Sequence, residues 1–128
     1  MKERLRALFI TAPAQDPERT FEVGFRAAQG GATGIVVRLP RATAREVFEV
    51  ARRLRPPTRR EGCVLLVHDR VDVAIAADAD GVHLGARSLP VAAAKRVAAP
   101  GMIVGRSVHN LDQAGQIESE GAAAEGGD

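Results

Sequence analysis

Three histidines, His68, His83 and His109, are the only imidazoles in the 128-residue chain. Each stands at or near the end of an apolar run, beside other groups that could do chemistry. His68 opens His-Asp-Arg (68–70), His83 lies between Val82 and Leu84, and His109 closes Gly-Arg-Ser-Val-His (105–109). Ser107 and His109 are two apart and would share one side of a strand. With Arg38 at the end of an earlier run, they describe a cationic site rich in hydrogen-bond donors, suited to a phosphorylated planar heterocycle. Each residue also has a plainer reading. Asp69 could be only a helix N-cap, Arg70 and Asp72 a local ion pair, His83 a core imidazole and His109 a loop residue. Three imidazoles at neighbouring strand ends could instead hold Zn²⁺ with one position open, as in a zinc hydrolase.

The elements that must position these groups follow from the apolar pattern. Strand-like runs occupy 7–11, 34–39, 63–67, 81–84 and 102–108, most of them continuous rather than alternating. Such runs indicate strands buried on both faces, as in a parallel sheet. Helix signals separate them. Asp16-Pro17 supplies an N-cap and a first-turn proline, with Phe21, Phe25 and Ala28 on one face and Gly30-Gly31 as the stop. Thr43 and Glu46 form a capping box ahead of Val47, Val50, Ala51 and Leu54, and Pro56-Pro57 is expected to end that helix. Asp69 is expected to cap a short helix through Ala77, Ser88 one over Val91–Val97, and Asn110 a last one, with Gln113 at its capping-box position.

A strand–helix repeat with right-handed crossovers builds either an open doubly wound sheet or a (β/α)8 barrel. In both, the carboxyl ends of the strands carry the active site. About five units fit in the chain, so a barrel reading leaves it truncated before the eighth strand. A single domain is expected.

Apolar residues make up 45% and charged residues 27%, with no Trp or Tyr, so the core must come from Val, Leu, Ile and Ala. A net charge of +2 argues against nucleic acid as the main partner, and Arg52–Arg60 reads as a solvated helix end. The one cysteine, Cys63, rules out an internal disulfide and reads as a buried, inert thiol in a reducing compartment. The amino-terminal MKERLRALFITAPAQ imitates a signal peptide, but its apolar run of about six residues is too short and reads as the first strand. No stretch approaches the roughly 18 apolar residues of a membrane span. A cytoplasmic protein with no membrane association is expected.

The words VHDRVDVAIAADADGVHLGARSLP (67–90) and IVGRSVHNLDQA (103–114), with GGATGIVVRLPR (30–41), resemble the thiamine phosphate synthase and thiazole tautomerase family of TIM-type barrels. They occur in the family's order and spacing and cover about five of its eight units. The resemblance implies coupling of a hydroxymethylpyrimidine diphosphate with a thiazole phosphate, giving thiamine phosphate and pyrophosphate. It implies that Arg38 contacts the diphosphate, that Asp69 binds Mg²⁺, and that Ser107 hydrogen-bonds substrate; Ser107 and, from its spacing, His109 are the catalytic candidates. His68, Arg70, His83 and Arg106 complete the expected substrate-binding set.

The departures are specific. Val36 stands at the family's pyrimidine-reading glutamine, Pro40 or Arg41 at its lysine, and His68 at its asparagine. Ser88 stands at the second Mg²⁺-binding aspartate, and a hydroxyl is a poor ligand for a hard divalent ion. Gly-Arg-Ser-Val-His is closer to the metal-independent tautomerase branch, whose catalytic histidine would lie beyond residue 128, as would the phosphate loops of both branches, so neither reaction is expected to be complete in this chain alone. A non-catalytic remnant of the family is the other alternative. Open edges on the first and fifth strands would then promote self-association.

Overall fold

The computed structural model describes residues 8–11 and 15–106. Strands β1 (Leu8–Ile10), β2 (Gly34–Val37), β3 (Val64–His68), β4 (Gly81–Leu84) and β5 (Ile103–Arg106) alternate with helices α1 (Pro17–Gln29), α2 (Ala44–Arg60), α3 (Val71–Ala76) and α4 (Val91–Val97). The strands form one sheet in the order β1-β2-β3-β4-β5, and every pairing is parallel. That order decides between the two architectures. A doubly wound sheet reverses direction at a switch point, whereas each crossover here advances the same way and puts its helix on the same face. The sheet is therefore the singly wound, TIM-barrel type.

Register divides the strand residues between two faces. Ile35, Val37, Leu65, Val67, Val82 and Val104 meet the helices in a single buried cluster that includes Ala28, Val50, Ala51 and Leu54. The opposite face, interior in a barrel, carries Val36, Leu66, His68, Gly81 and His83. A Cβ at Gly81 would collide with the backbone carbonyl of Ile103, so β4 and β5 can approach as they do only with glycine there.

The helix starts obey local chemistry. Asp16 accepts the Arg19 N–H at 2.7 Å, and the Thr43–Glu46 capping box is complete in both directions. After α1, Gly31 at φ 99° closes a Schellman turn in which the Ala32 N–H reaches the Ala27 carbonyl.

Three local expectations fail for physical reasons. Helix α2 runs through Pro56 and Pro57 to Arg60. The prolines withhold N–H groups only from Arg52 and Arg53, whose carbonyls lie on an exposed stretch. The buried Thr58 hydroxyl meanwhile donates to the Leu54 carbonyl at 2.7 Å, and Pro57 is itself buried. Asp69 caps nothing: Arg70 holds the N-cap position of α3, with no side-chain cap. Ser88 is not a cap either, because α4 begins after Pro90. Its hydroxyl instead accepts the Gly85 N–H at 2.9 Å and ties the β4–α4 loop. The fifth strand ends at Arg106, and the helix expected at Asn110 lies outside the described residues.

The arginine-rich end of α2 is a solvated, ion-paired helix face. Arg52 pairs with Glu49, Arg53 with Glu18 across to α1, and Arg59 with Asp78. Arg55, buried, reaches Asp80, which also accepts the Leu65 N–H at 2.8 Å. This second group braces the amino ends of β3 and β4, at the edge away from the candidate site. Cys63 is buried, and burial followed by the Asp80 charge raises its thiol pKa. No helix among the described residues is long and apolar enough to cross a membrane.

Candidate functional site

At the carboxyl end of the sheet, β3 and β4 place His68 directly beside His83, and the two Nδ1 atoms lie 3.1 Å apart. Residues paired across parallel strands project from the same face, so the register alone brings the rings together. Their centroids are 5.3 Å apart with planes tilted by 38°, an edge approach rather than a stack. Burial, then the Arg38 charge, lowers the His68 pKa, with Asp69 acting in the opposite direction. Burial, then His68 and Arg38, pushes His83 down to about 4. Both rings are thus neutral at pH 7 beside a permanent cation.

Arg38 belongs to this face because it follows Val36 by two residues, as His68 follows Leu66, and Val36 and Leu66 are register partners. Its backbone is pinned by Thr11, which the sequence reading passed over. The fully buried Thr11 hydroxyl donates to the Val36 carbonyl at 3.0 Å and accepts the Arg38 N–H at 2.8 Å. The only signal for Thr11 in the sequence is a hydroxyl residue at the end of an apolar run.

Asp69 follows His68 in a strained turn. Its φ is 70°, and the Arg70 N–H closes back onto the His68 carbonyl at 2.7 Å, a γ-turn of the positive-φ kind. Its own N–H donates to the His83 carbonyl at 2.9 Å, extending the ladder by one bond. The Asp69 side chain is exposed.

The remaining expected site residues are more dispersed. Arg70 makes a two-pronged bond to Asp72 at 3.1 and 2.8 Å on the first turn of α3. Arg106 is in register with Leu84, a helix-facing residue, and so leaves the sheet on the side away from the histidines. Ser107 and His109 lie outside the described residues.

As donors for Mg²⁺, the described residues supply one carboxylate, Asp69, and a Ser88 hydroxyl already engaged by Gly85. Among the described residues no three ligating side chains cluster. Mg²⁺ is held through one or two carboxylates together with water and substrate phosphates, so with this set Asp69 would hold it only alongside a bound diphosphate.

A singly wound parallel sheet with a cation and a neutral imidazole pair on its carboxyl rim defines a protein of the (β/α)-barrel class. The thiamine monophosphate synthase family model matches residues 7–125, and the chain belongs to that family. A thiamine-phosphate synthase of Pyrococcus furiosus is 41% identical over 122 residues, covering 95% of this chain and 58% of the relative. That of Chloroflexus aurantiacus is 48% identical over 93 residues, covering 73% and 43%. The solved thiamine phosphate pyrophosphorylase from Pyrococcus furiosus superposes with a TM-score of 0.74 at 40% identity, over 93% of this chain and 58% of that one. The chain thus spans about half the length of the relatives it matches. These relatives carry the synthase name, not the tautomerase one, and their likeness bears out the barrel-type fold.

Proposed function

We propose that this chain carries the pyrimidine-diphosphate side of a thiamine phosphate synthase site, the reaction that joins hydroxymethylpyrimidine diphosphate to a thiazole phosphate and releases pyrophosphate. The observation that carries the reading is the proximity of Arg38 to the neutral His68–His83 pair on the rim where barrel enzymes act. A guanidinium binds two oxygens of a phosphate at once and keeps its charge at any working pH. As the C–O bond to the diphosphate breaks, negative charge accumulates on the departing oxygens. A cation fixed beforehand lowers the energy of that state more than that of the bound substrate. Thr11 holds the Arg38 backbone, so the guanidinium starts from a defined position.

The imidazoles contribute hydrogen bonding without charge. A neutral ring beside the pyrimidine adds no repulsion toward the cationic carbon left when the diphosphate departs. Asp69 is the residue of this chain to which Mg²⁺ would turn, as the resemblance implies. A single exposed carboxylate does not make a site by itself, so the chemistry assigned here rests on Arg38 and the imidazole pair. Ser107 belongs to the same proposed site by resemblance, and His109 by its spacing two residues on.

The test is direct. Binding of hydroxymethylpyrimidine diphosphate to the 128-residue chain and to Arg38→Met is measured by calorimetric titration in the presence of Mg²⁺. Affinity that falls at least tenfold in Arg38→Met supports the reading; no binding, or equal affinity in the two proteins, removes it.

A further inference from the structure

The inner face of the sheet is built in levels. Val36 pairs with Leu66, Leu66 with Gly81 and Gly81 with Ile103, so these residues share one level. Two residues further along each strand, Arg38, His68, His83 and Gly105 form the next level, toward the carboxyl ends. Three positions of that upper level carry side chains able to bind a ligand, and the fourth carries none.

A glycine within a strand gives up backbone entropy and packing, and it is usually explained by a bulge, a positive φ or the close approach of another group. Gly81 has such an explanation in the Ile103 carbonyl. Gly105 does not: its φ lies outside the left-handed region, and apart from its own chain neighbours no described atom lies within 4 Å of the place a Cβ would take. The missing side chain therefore serves something other than the fold. The space adjoins half-buried His83, its register partner, with Ile103 one level below on the same strand. Arg38 stands three strands away, about 14 Å along the sheet at the usual spacing. A guest that touches both ends of this level has a flat part at Gly105 and an anionic part at Arg38, with its middle over the two imidazoles.

We propose that Gly105 is a specificity-determining position, whose bare backbone leaves a slot beside His83 for the ring of an aromatic heterocycle with its anionic tail held at Arg38. The slot stands on geometry; that its guest is a pyrimidine diphosphate rests on the function proposed above. A planar ring can lie against a strand backbone where a side chain would hold it off. Inorganic pyrophosphate uses only the Arg38 end and gains nothing from the slot.

The full chain, Gly105→Ala and Gly105→Val are titrated calorimetrically with hydroxymethylpyrimidine diphosphate and with inorganic pyrophosphate, both with Mg²⁺, and the same three proteins are melted thermally. The unsubstituted chain should bind the pyrimidine diphosphate about tenfold or more tighter than pyrophosphate. Gly105→Val should lose that preference and Gly105→Ala part of it, with pyrophosphate affinity unchanged in both. Gly105→Ala should melt no lower than the unsubstituted chain, since its Cβ meets nothing and alanine costs less backbone entropy than glycine. An alanine variant that melts several degrees lower shows that the glycine serves the fold, and overturns the proposal. A preference unchanged in the variants that fold also overturns it, and leaves the Arg38 reading intact. Equal affinity of the unsubstituted chain for the two ligands leaves the slot without a ring while keeping the anion site. Failure of both ligands to bind removes the proposed function and the guest of the slot together.

Discussion

At His83 the cost of charging a buried ring makes protonation a measurable part of stability. The ring titrates at about 4 in the fold, against 6.5 for an unperturbed imidazole. Between those values the unfolded chain holds a proton that the folded chain does not. The contribution is therefore full above about pH 6.5 and is lost as the pH falls toward 4. Urea midpoints measured from pH 7 to pH 4.5 should fall, and should fall less in His83→Asn. Asp69 is the other residue at which a local conflict has a sign. A positive φ in a γ-turn costs about 1–3 kcal/mol for a residue with a Cβ. Asp69→Gly should raise the unfolding free energy by about 1 kcal/mol while weakening any dependence on Mg²⁺. Denaturant melts and a Mg²⁺ titration of pyrophosphate binding would separate the two effects, and a less stable glycine variant would show that Asp69 is held by contacts rather than strained.

At the scale of the elements, close approach matters more than propensity. Gly81→Ala would push a Cβ into the Ile103 carbonyl, and rigid backbone cannot yield as a side-chain tip can. We expect a loss of about 3 kcal/mol, or separation of β5 from β4, read by thermal melts and by amide exchange in β5. The strands were legible in the sequence because continuous apolar runs have few other uses, and the cores of all five runs became strands. The caps at Asp16 and Thr43 were legible because they act over three residues. What was hidden depended on distant neighbours. Pro56-Pro57 reads as a stop until burial of Pro57 and Thr58 holds the helix together. Asp69 has the composition of a cap, and only the turn geometry shows otherwise. Arg38, His68 and His83 could be chosen individually as site residues. Their meeting depends on the β3–β4 register, which no local pattern specifies, and the role of Thr11 depends on β1 pairing with β2.

Across the whole molecule, the β1-β2-β3-β4-β5 order winds one way and gathers the strand ends on one rim, with the Arg55–Asp80 brace at the other. Among the described strands, β1 and β5 each pair on one side only. Such edges template further pairing, so sedimentation of the 128-residue chain should show association that grows with concentration; a monodisperse monomer would count against open edges. The central claim is that the carboxyl rim binds an anion through Arg38 next to the imidazole pair. Calorimetric titration of the chain with inorganic pyrophosphate, beside Arg38→Met, tests it most directly. A charge-assisted contact of about 1.5–3 kcal/mol predicts affinity weaker by roughly 10- to 100-fold in the variant. Equal affinity in the two proteins would contradict it.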